Sequence, residues 1–472
     1  MKMNRVIGVV VFGFSLFVGS IAGTQPGQAE QPDAIKGLSC PFVGPIQGVY
    51  FNQHISYTVT APNEEARRQE IEKRTVEQYV KRLDGSKLYF LDQDVKDIQA
   101  KLKGILSAVE KRPVPDCDQL HKAQDVFVKR VKERVAFANK YLGKDFKFKK
   151  ETKLILDPER RKYPVSQTEA DEFQKEYIQF QVSNFIATDI KLEEAKQMVL
   201  RRYKRNLQRV QEMKEEDVLS GYLDSFARSL DPHSSYFSGD TMEDFRISMA
   251  LSLEGIGATL SSQDGYTVIE ALIPGGAAAR EGTLRPKDKI VAVGQGECDS
   301  KSEATTACAN ENVIEVDLRD VVKKIRGKKG SKVRLTVMRE GGDKKRFNLT
   351  LVRDKVKLED EAASISYLDR EVDGRKLKIG LVDLPSFYSD SRPGGRTAAT
   401  DLKKILHEAK QKNVDSLVLD FSSNGGGSLD DAVKIAGLFF KTGAVVKQSA
   451  KKGKETLLSD EDEEVDYAGP MV

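Results

Sequence analysis

The 472-residue chain carries 76 lysines and arginines against 72 aspartates and glutamates, a formal charge of +4, with 31% charged and 39% hydrophobic residues. That balance leaves no concentrated basic face and argues against nucleic acid as a partner, while the length allows two to four domains with real cores. Four histidines and four cysteines without a CxxC spacing argue against zinc, and no cofactor is expected.

Residues 1–29 read as a targeting segment. Lys2 and Arg5 precede an apolar run over 6–22, and Gly27-Gln28-Ala29 supplies the small residues that a signal peptidase reads. The run is somewhat short for a membrane span, which favours a cleaved export signal, a periplasmic location and a mature chain without an integral span. A retained N-terminal inner-membrane anchor is the alternative. Cys40 lies too far along for a lipoprotein. In an exported protein the cysteines are expected to pair. Cys298 and Cys308 flank a short polar insertion, DSKSEATTA, and are paired first; Cys40 with Cys117 follows by elimination.

Residues 30–60 look irregular, and a helical domain is expected over 30–218. Ile71, Val76, Tyr79, Val80 and Leu83 recur at helical offsets, and Asp92 is an expected N-cap. Residues 118–142 and 166–215 continue as charged amphipathic helices. Their charges read as solvated faces, with no catalytic constellation. A connection over 219–252 contains DPHSSYF. His233 beside Ser234 is no half-triad, because adjacent residues seldom face one another; a structural turn is expected.

Residues 253–353 form the stretch around which the chain is organised, a β-rich module of domain size. Strands are expected at 267–269 and 333–337. DLRDVVKKI, residues 317–325, spaces Leu318, Val321, Val322 and Ile325 along one helical face. The loop Leu253-Glu254-Gly255-Ile256-Gly257 turns tightly and offers backbone N–H groups to a carboxylate. From 354 onward, strands at 377–382 and 414–421 alternate with helices at 397–409 and 430–440, around the tight loop Asn424-Gly425-Gly426-Gly427. That order implies a parallel sheet with crossovers. The fold class is therefore multidomain α+β: helices, then a β-rich module, then an α/β region with a parallel sheet.

The GIG loop, PGGAAAREG followed by RPKDKIVAVG, and IRGKKGSKVRLTV together resemble a bacterial PDZ domain, in the version found in carboxyl-terminal processing (tail-specific) serine proteases. GSKLYFLDQDV and LDPERRKYPVSQTEADEFQKEYIQFQ resemble the helical domain of the long periplasmic branch of that family, and DPHSSYF one of its signatures. IGLVDLPSFY with SLVLDFSSNGGGSLDDAVKIAGLFF resembles the start of its protease core. The resemblance covers residues 64–472. It implies a groove in which Leu253, Glu254, Gly255, Ile256 and Gly257 hold a terminal carboxylate and Val321 and Val322 line a side-chain pocket. It also implies that Asn424, Gly425, Gly426 and Gly427 shape the substrate and oxyanion region.

The implied ligands are proteins or peptides with apolar free C-termini, and an adaptor lipoprotein is a partner the resemblance admits. The family's nucleophilic serine, activated by a desolvated lysine, follows the glycine loop. Gly469-Pro470-Met471-Val472 looks like the start of the strand before it, so the expectation is a chain truncated before its Ser/Lys dyad, binding tails without cutting them. Ser449 and Lys452 match S-x-x-K, but in a solvated lysine-rich turn where the match is fortuitous. Ser422 and Ser423 have no base nearby and stand where the family often has a basic residue. The competing reading is a non-catalytic tail-binding pseudoprotease or adaptor. A dead-groove scaffold would bind amidated and free tails alike.

Overall fold

A computed structural model describes residues 37–53, 61–149, 153–263, 265–297, 309–339, 345–358, 361–390, 392, 394–449 and 455–472. The targeting segment, the Cys298/Cys308 pair and Lys452 lie outside the described residues. Two compact units emerge, the first running to Met242 and the second comprising Glu243–Gln448 and Thr456–Val472.

The first unit is helical: α1 (Cys40–Gln53), α2 (Glu64–Asp84), α3 (Asp92–Lys101), α4 (Ile105–Glu110), α5 (Asp118–Tyr141), α6 (Gln167–Ile186), α7 (Leu192–Gln211) and α8 (Glu215–Leu230). Ile71, Val76, Tyr79 and Val80 of α2 are buried, as the helical spacing requires. They share one core with Leu120, Val131, Val199 and Phe226 from α5, α7 and α8. Two expectations give way here. Residues 40–53 are helical despite Pro45, because Val43 is buried in the helical core and tertiary packing overrides propensity. Asp92 is the first helical residue rather than the cap; Leu91 precedes it, and its amide is held by the Asp94 carboxylate at 2.8 Å.

In the expected connection, Leu219, Tyr222, Leu223 and Phe226 are core residues of the helical unit. DPHSSYF is a turn pinned by acids: Asp231 accepts from the His233 amide at 3.1 Å, and Asp224 accepts from the Tyr236 amide at 3.2 Å. His233 itself is exposed. The GSKLYFLD segment is organised by Asp84, 1% exposed, whose carboxylate accepts the amides of Leu88 (2.8 Å), Tyr89 and Phe90 (2.9 Å each). Burial raises its pKa, outweighing those three donors. Cys40 and Cys117 form a disulfide, with Cα atoms 6.0 Å apart, that ties α1 to the start of α5.

The second unit opens on α9 (Gly239–Ala250), which begins just before Glu243. It continues with β1 (Ser252–Gly255), β2 (Ala258–Gln263), β3 (Tyr266–Leu272), α10 (Ala277–Glu281), β4 (Lys289–Gln295), β5 (Glu311–Asn312), α11 (Leu318–Ile325), β6 (Lys332–Arg339), β7 (Lys345–Val352) and β8 (Asp354–Lys357). One sheet runs β2-β3-β4-β6-β7 with β5 on β4, and β1 pairs antiparallel with β8 in a separate ladder. Beyond it come β9 (Ser364–Val372), β10 (Arg375–Asp383), α12 (Ala398–Gln411), β11 (Ser416–Asp420), α13 (Leu429–Gly437), β12 (Gly443–Ser449) and β13 (Glu455–Asp460).

The parallel sheet expected for this last region is only partly parallel. β10 and β11 are parallel across α12, whereas β9 is antiparallel to β10, because the two-residue turn Asp373-Gly374 joins them directly. Residues 470–472 line up on the other side of β11, where the Leu417 and Leu419 amides donate to the carbonyls of Pro470 (3.0 Å) and Val472 (2.8 Å). The disulfide separates its cysteines by 77 residues, and closing a loop of that length stabilises the fold by about 4 kcal/mol in the chain-entropy model. The double variant Cys40→Ser/Cys117→Ser is therefore expected to lose about that much in guanidinium unfolding followed by helix CD.

Candidate functional site

The groove predicted in the β-rich module has two walls. β2 is the end strand of its sheet, pairing only with β3 among the described residues, and α11 packs beside it. An end strand presents unpaired backbone groups to any extended peptide. The head of β2 is set by glycines. Gly257 has φ +73°, and a Cβ there would lie 2.8 Å from the Gly276 Cα, so GIG and PGG are two halves of one close backbone approach. The Ile256 carbonyl accepts the Ala278 amide at 2.8 Å and the Gly257 carbonyl accepts the Ile273 amide at 3.0 Å.

Of the five residues expected to hold a carboxylate, Leu253, Glu254 and Gly255 lie in the ladder with β8, and only Ile256 and Gly257 stand outside a strand pair. Ile256 is 3% exposed and belongs to the module's core. The pocket expectation needs a correction at one position. Val321 is fully buried with Ile269, Val293 and Val333, because its side chain faces the sheet rather than the groove. Val322 is half-buried, as is Leu318 one turn earlier, so this pair is the apolar surface that α11 retains for a ligand.

α11 is held in place by a residue that sequence reading passed over. Arg353, 3% exposed, donates from Nε to the Ile325 carbonyl (2.7 Å) and from Nη2 to the Lys324 carbonyl (3.0 Å) and Gln295 Oε1 (2.6 Å). A buried guanidinium thus caps the C-terminus of the groove helix, satisfying its last carbonyls and its dipole. An arginine after a strand carries no such signal in a sequence; the contact joins residues 28 apart. Next to it, Asp354 pairs with Arg280 (2.7 Å) and Lys329 (3.0 Å). Hydrogen bonds from Lys329 and Arg280 hold its carboxyl down at about 2.

The glycine loop sits in the last region. The Asn424 side chain donates to the Leu384 carbonyl (2.8 Å) and accepts the Gly426 amide (2.8 Å), bracing the loop against the end of β10. Phe387 clamps it: its amide donates to the Gly426 carbonyl at 2.9 Å and its carbonyl accepts the Ser428 amide at 2.7 Å. Gly427 has φ +144°, and a Cβ there would strike the Phe387 carbonyl, so only glycine fits. Tyr388, fully buried, donates to Asp401 Oδ2 at 2.8 Å and fixes the clamp onto α12. Burial opposes ionisation of Asp401, but Arg396, Tyr388 and Lys404 hold its carboxyl below the usual range. In the segment noted above for its serines, the Ser422 amide donates to Asp420 (2.8 Å), and the loop is anchored by Asn424. The Phe387 and Tyr388 contacts were not legible as site features from spacing alone. Among the described residues, no group of three or more His, Cys, Asp or Glu residues could hold a metal.

Three family models fall on this architecture in order. Residues 63–240 match the tail specific protease N-terminal domain, 244–338 a PDZ domain and 378–472 peptidase family S41. The fold therefore joins a PDZ domain to a stretch of a peptidase family S41 domain. The tail-specific protease of Haemophilus influenzae is 34% identical over 393 residues, covering 83% of this chain and 53% of its own. The carboxy-terminal processing protease CtpB of Bacillus subtilis is 29% identical over 246 residues, covering 52% and 44% respectively. Over these stretches the chain is similar to carboxyl-terminal processing (tail-specific) proteases, and it spans about half the length of the curated relatives it matches. Among solved structures, the PDZ domain of a carboxy-terminal protease from Vibrio cholerae, in complex with peptide, is 45% identical over 23% of this chain and all of its own, with a TM-score of 0.20. The photosystem II D1 C-terminal processing protease is 22% identical, covering 57% and 67%, with a TM-score of 0.25.

Replacing Arg353 by leucine would orphan the α11 carbonyls. The expected cost is about 3 kcal/mol in thermal unfolding, with weaker peptide binding in calorimetry. Asp354 titrates with a sign that can be checked. Its folded value of about 2 lies below the unfolded value of about 3.9. The stabilisation it brings is therefore complete above about pH 4 and lost as pH falls through about 2. The difference in unfolding temperature between wild type and Asp354→Asn is expected to be full at pH 7 and to vanish near pH 2.

Proposed function

We propose that the protein is an exported, periplasmic serine endopeptidase that selects substrates by apolar C-terminal tails and cuts peptide bonds near them with a Ser/Lys dyad. The observation that carries the tail-binding half is the unpaired edge of β2 beside α11, headed by the Gly257 turn. A tail adds there as a further strand, its terminal carboxylate meeting the backbone amides at Ile256 and Gly257 and its apolar side chain meeting Leu318 and Val322. A buried carboxylate held by amides discriminates strongly against a neutral end, because losing the charge leaves those donors unmatched.

The loop 424–427, braced by Asn424 and clamped by Phe387, takes the extended substrate near the scissile bond. Its backbone amides suit a developing oxyanion. The resemblance to the family places the serine–lysine pair after the glycine loop, where a desolvated lysine would activate the serine hydroxyl. An adaptor lipoprotein would present substrates to the whole protease.

The test is a calorimetric titration of purified residues 1–472 with a ten-residue peptide ending in Ala-Ala-Leu, beside the same peptide amidated. The free acid is expected to bind at least tenfold more tightly than the amide, Val322→Asp should abolish binding, and mass spectrometry should find the peptide intact. Equal binding of acid and amide would overturn the groove assignment. Cleavage would overturn the location of the dyad.

A further inference from the structure

The helical unit holds a cavity of about 280 Å³ that the tail-binding reading does not use. Its walls are aromatic, with Tyr89, Phe173 and Tyr177 among them, and its floor is polar, with Arg134, Gln174 and Gln181. These three polar residues are 1%, 4% and 7% exposed. The Nε of Arg134 and the Oε1 atoms of Gln174 and Gln181 are buried without a hydrogen-bond partner among the described residues. Buried polar atoms are nearly always paired, so three orphans around one cavity point to something that belongs inside it.

The amide orientation of Gln174 is not arbitrary. Its Nε2 donates to the Arg134 carbonyl at 2.7 Å, which leaves Oε1 as the acceptor. The cavity therefore offers one charged donor and two acceptors beside aromatic rings. Charge narrows the choice further. Arg134 is paired with Asp171 at 2.8 Å, while Arg202, which also lines the cavity, is exposed and forms no ion pair among the described residues. One net positive charge remains for a ligand.

We propose that this cavity is a binding site for a small monoanion that carries a hydrogen-bond donor beside an apolar body, the chemistry of an N-acyl amino acid or the last residue of a peptide. The carboxylate meets Arg202 and the Arg134 Nε, the amide N–H meets the glutamine oxygens, and the side chain lies among the rings. The volume is at the small end for ligand pockets and admits about one residue.

The experiment titrates N-acetyl-L-phenylalanine, and separately its uncharged amide, into the full chain by calorimetry. Every arm is run in the Val322→Asp background, so that the groove of the β-rich module cannot contribute and failure of either reading is separately visible. The expected result is saturable binding of the acid at one site per chain, with the amide at least tenfold weaker. Arg202→Ala, a surface change that leaves the fold alone, should weaken the acid about tenfold, and Gln181→Leu should weaken acid and amide alike. The inference is overturned if the acid shows no saturable binding, so that the cavity holds ordered water only. It is equally overturned if Arg202→Ala leaves the affinity unchanged.

Discussion

The antiparallel ladder between β1 and β8, Ser252–Gly255 against Asp354–Lys357, is the constraint on which the second unit rests. It takes the entry and exit strands of the β-rich module out of the main sheet and pairs them with each other. Had β1 instead continued the sheet beside β2, the edge that a peptide needs would be occupied. Because β1 is spent on β8, β2 remains an end strand among the described residues, with the flank of α11 packed beside it. Natural sheets usually protect such edges. Here the protection is partial, and the proposed groove lies in what is left open.

The same ladder hands the module over to the peptidase segment. Leu251, immediately before β1, is buried with Val382, Leu402 and Leu417 in the core of the β9–β11 sheet. Its carbonyl accepts the Leu358 amide at 3.0 Å, just past β8. The Met249 carbonyl accepts the Ser389 amide at 2.7 Å, two residues from the Phe387 clamp. A short run of backbone contacts thus connects the groove's supporting strands with the segment that holds the glycine loop. Both sites depend on glycines for the same reason: at Gly257 and Gly427 another backbone passes where a Cβ would be. Both are also braced from behind by buried polar side chains, Arg353 in one case and Tyr388 with Asp401 in the other. Such groups are costly to bury and worth it only when fully paired, which is what gives each site a single arrangement.

What could be read from the chain without coordinates was local or periodic. The apolar spacing of residues 71–80 marked a buried helical face, the strands of the module and of the last region fell where their β-branched runs lie, and the glycine motifs announced tight turns. The motif order also carried the family, because GIG, PGG and NGGG each mark a backbone conformation that few other residues can adopt. Tertiary structure alone decided the rest. It turned Val321 inward while leaving Val322 at the groove, a difference of 100° around a helix that needs the position of the sheet to resolve. It made a helix of residues 40–53 against a buried face, put β9 antiparallel to β10, and recruited Arg353 to cap a helix 28 residues earlier in the chain. Contacts between distant residues depend on how finished elements pack, and a linear pattern records only each element's own preference.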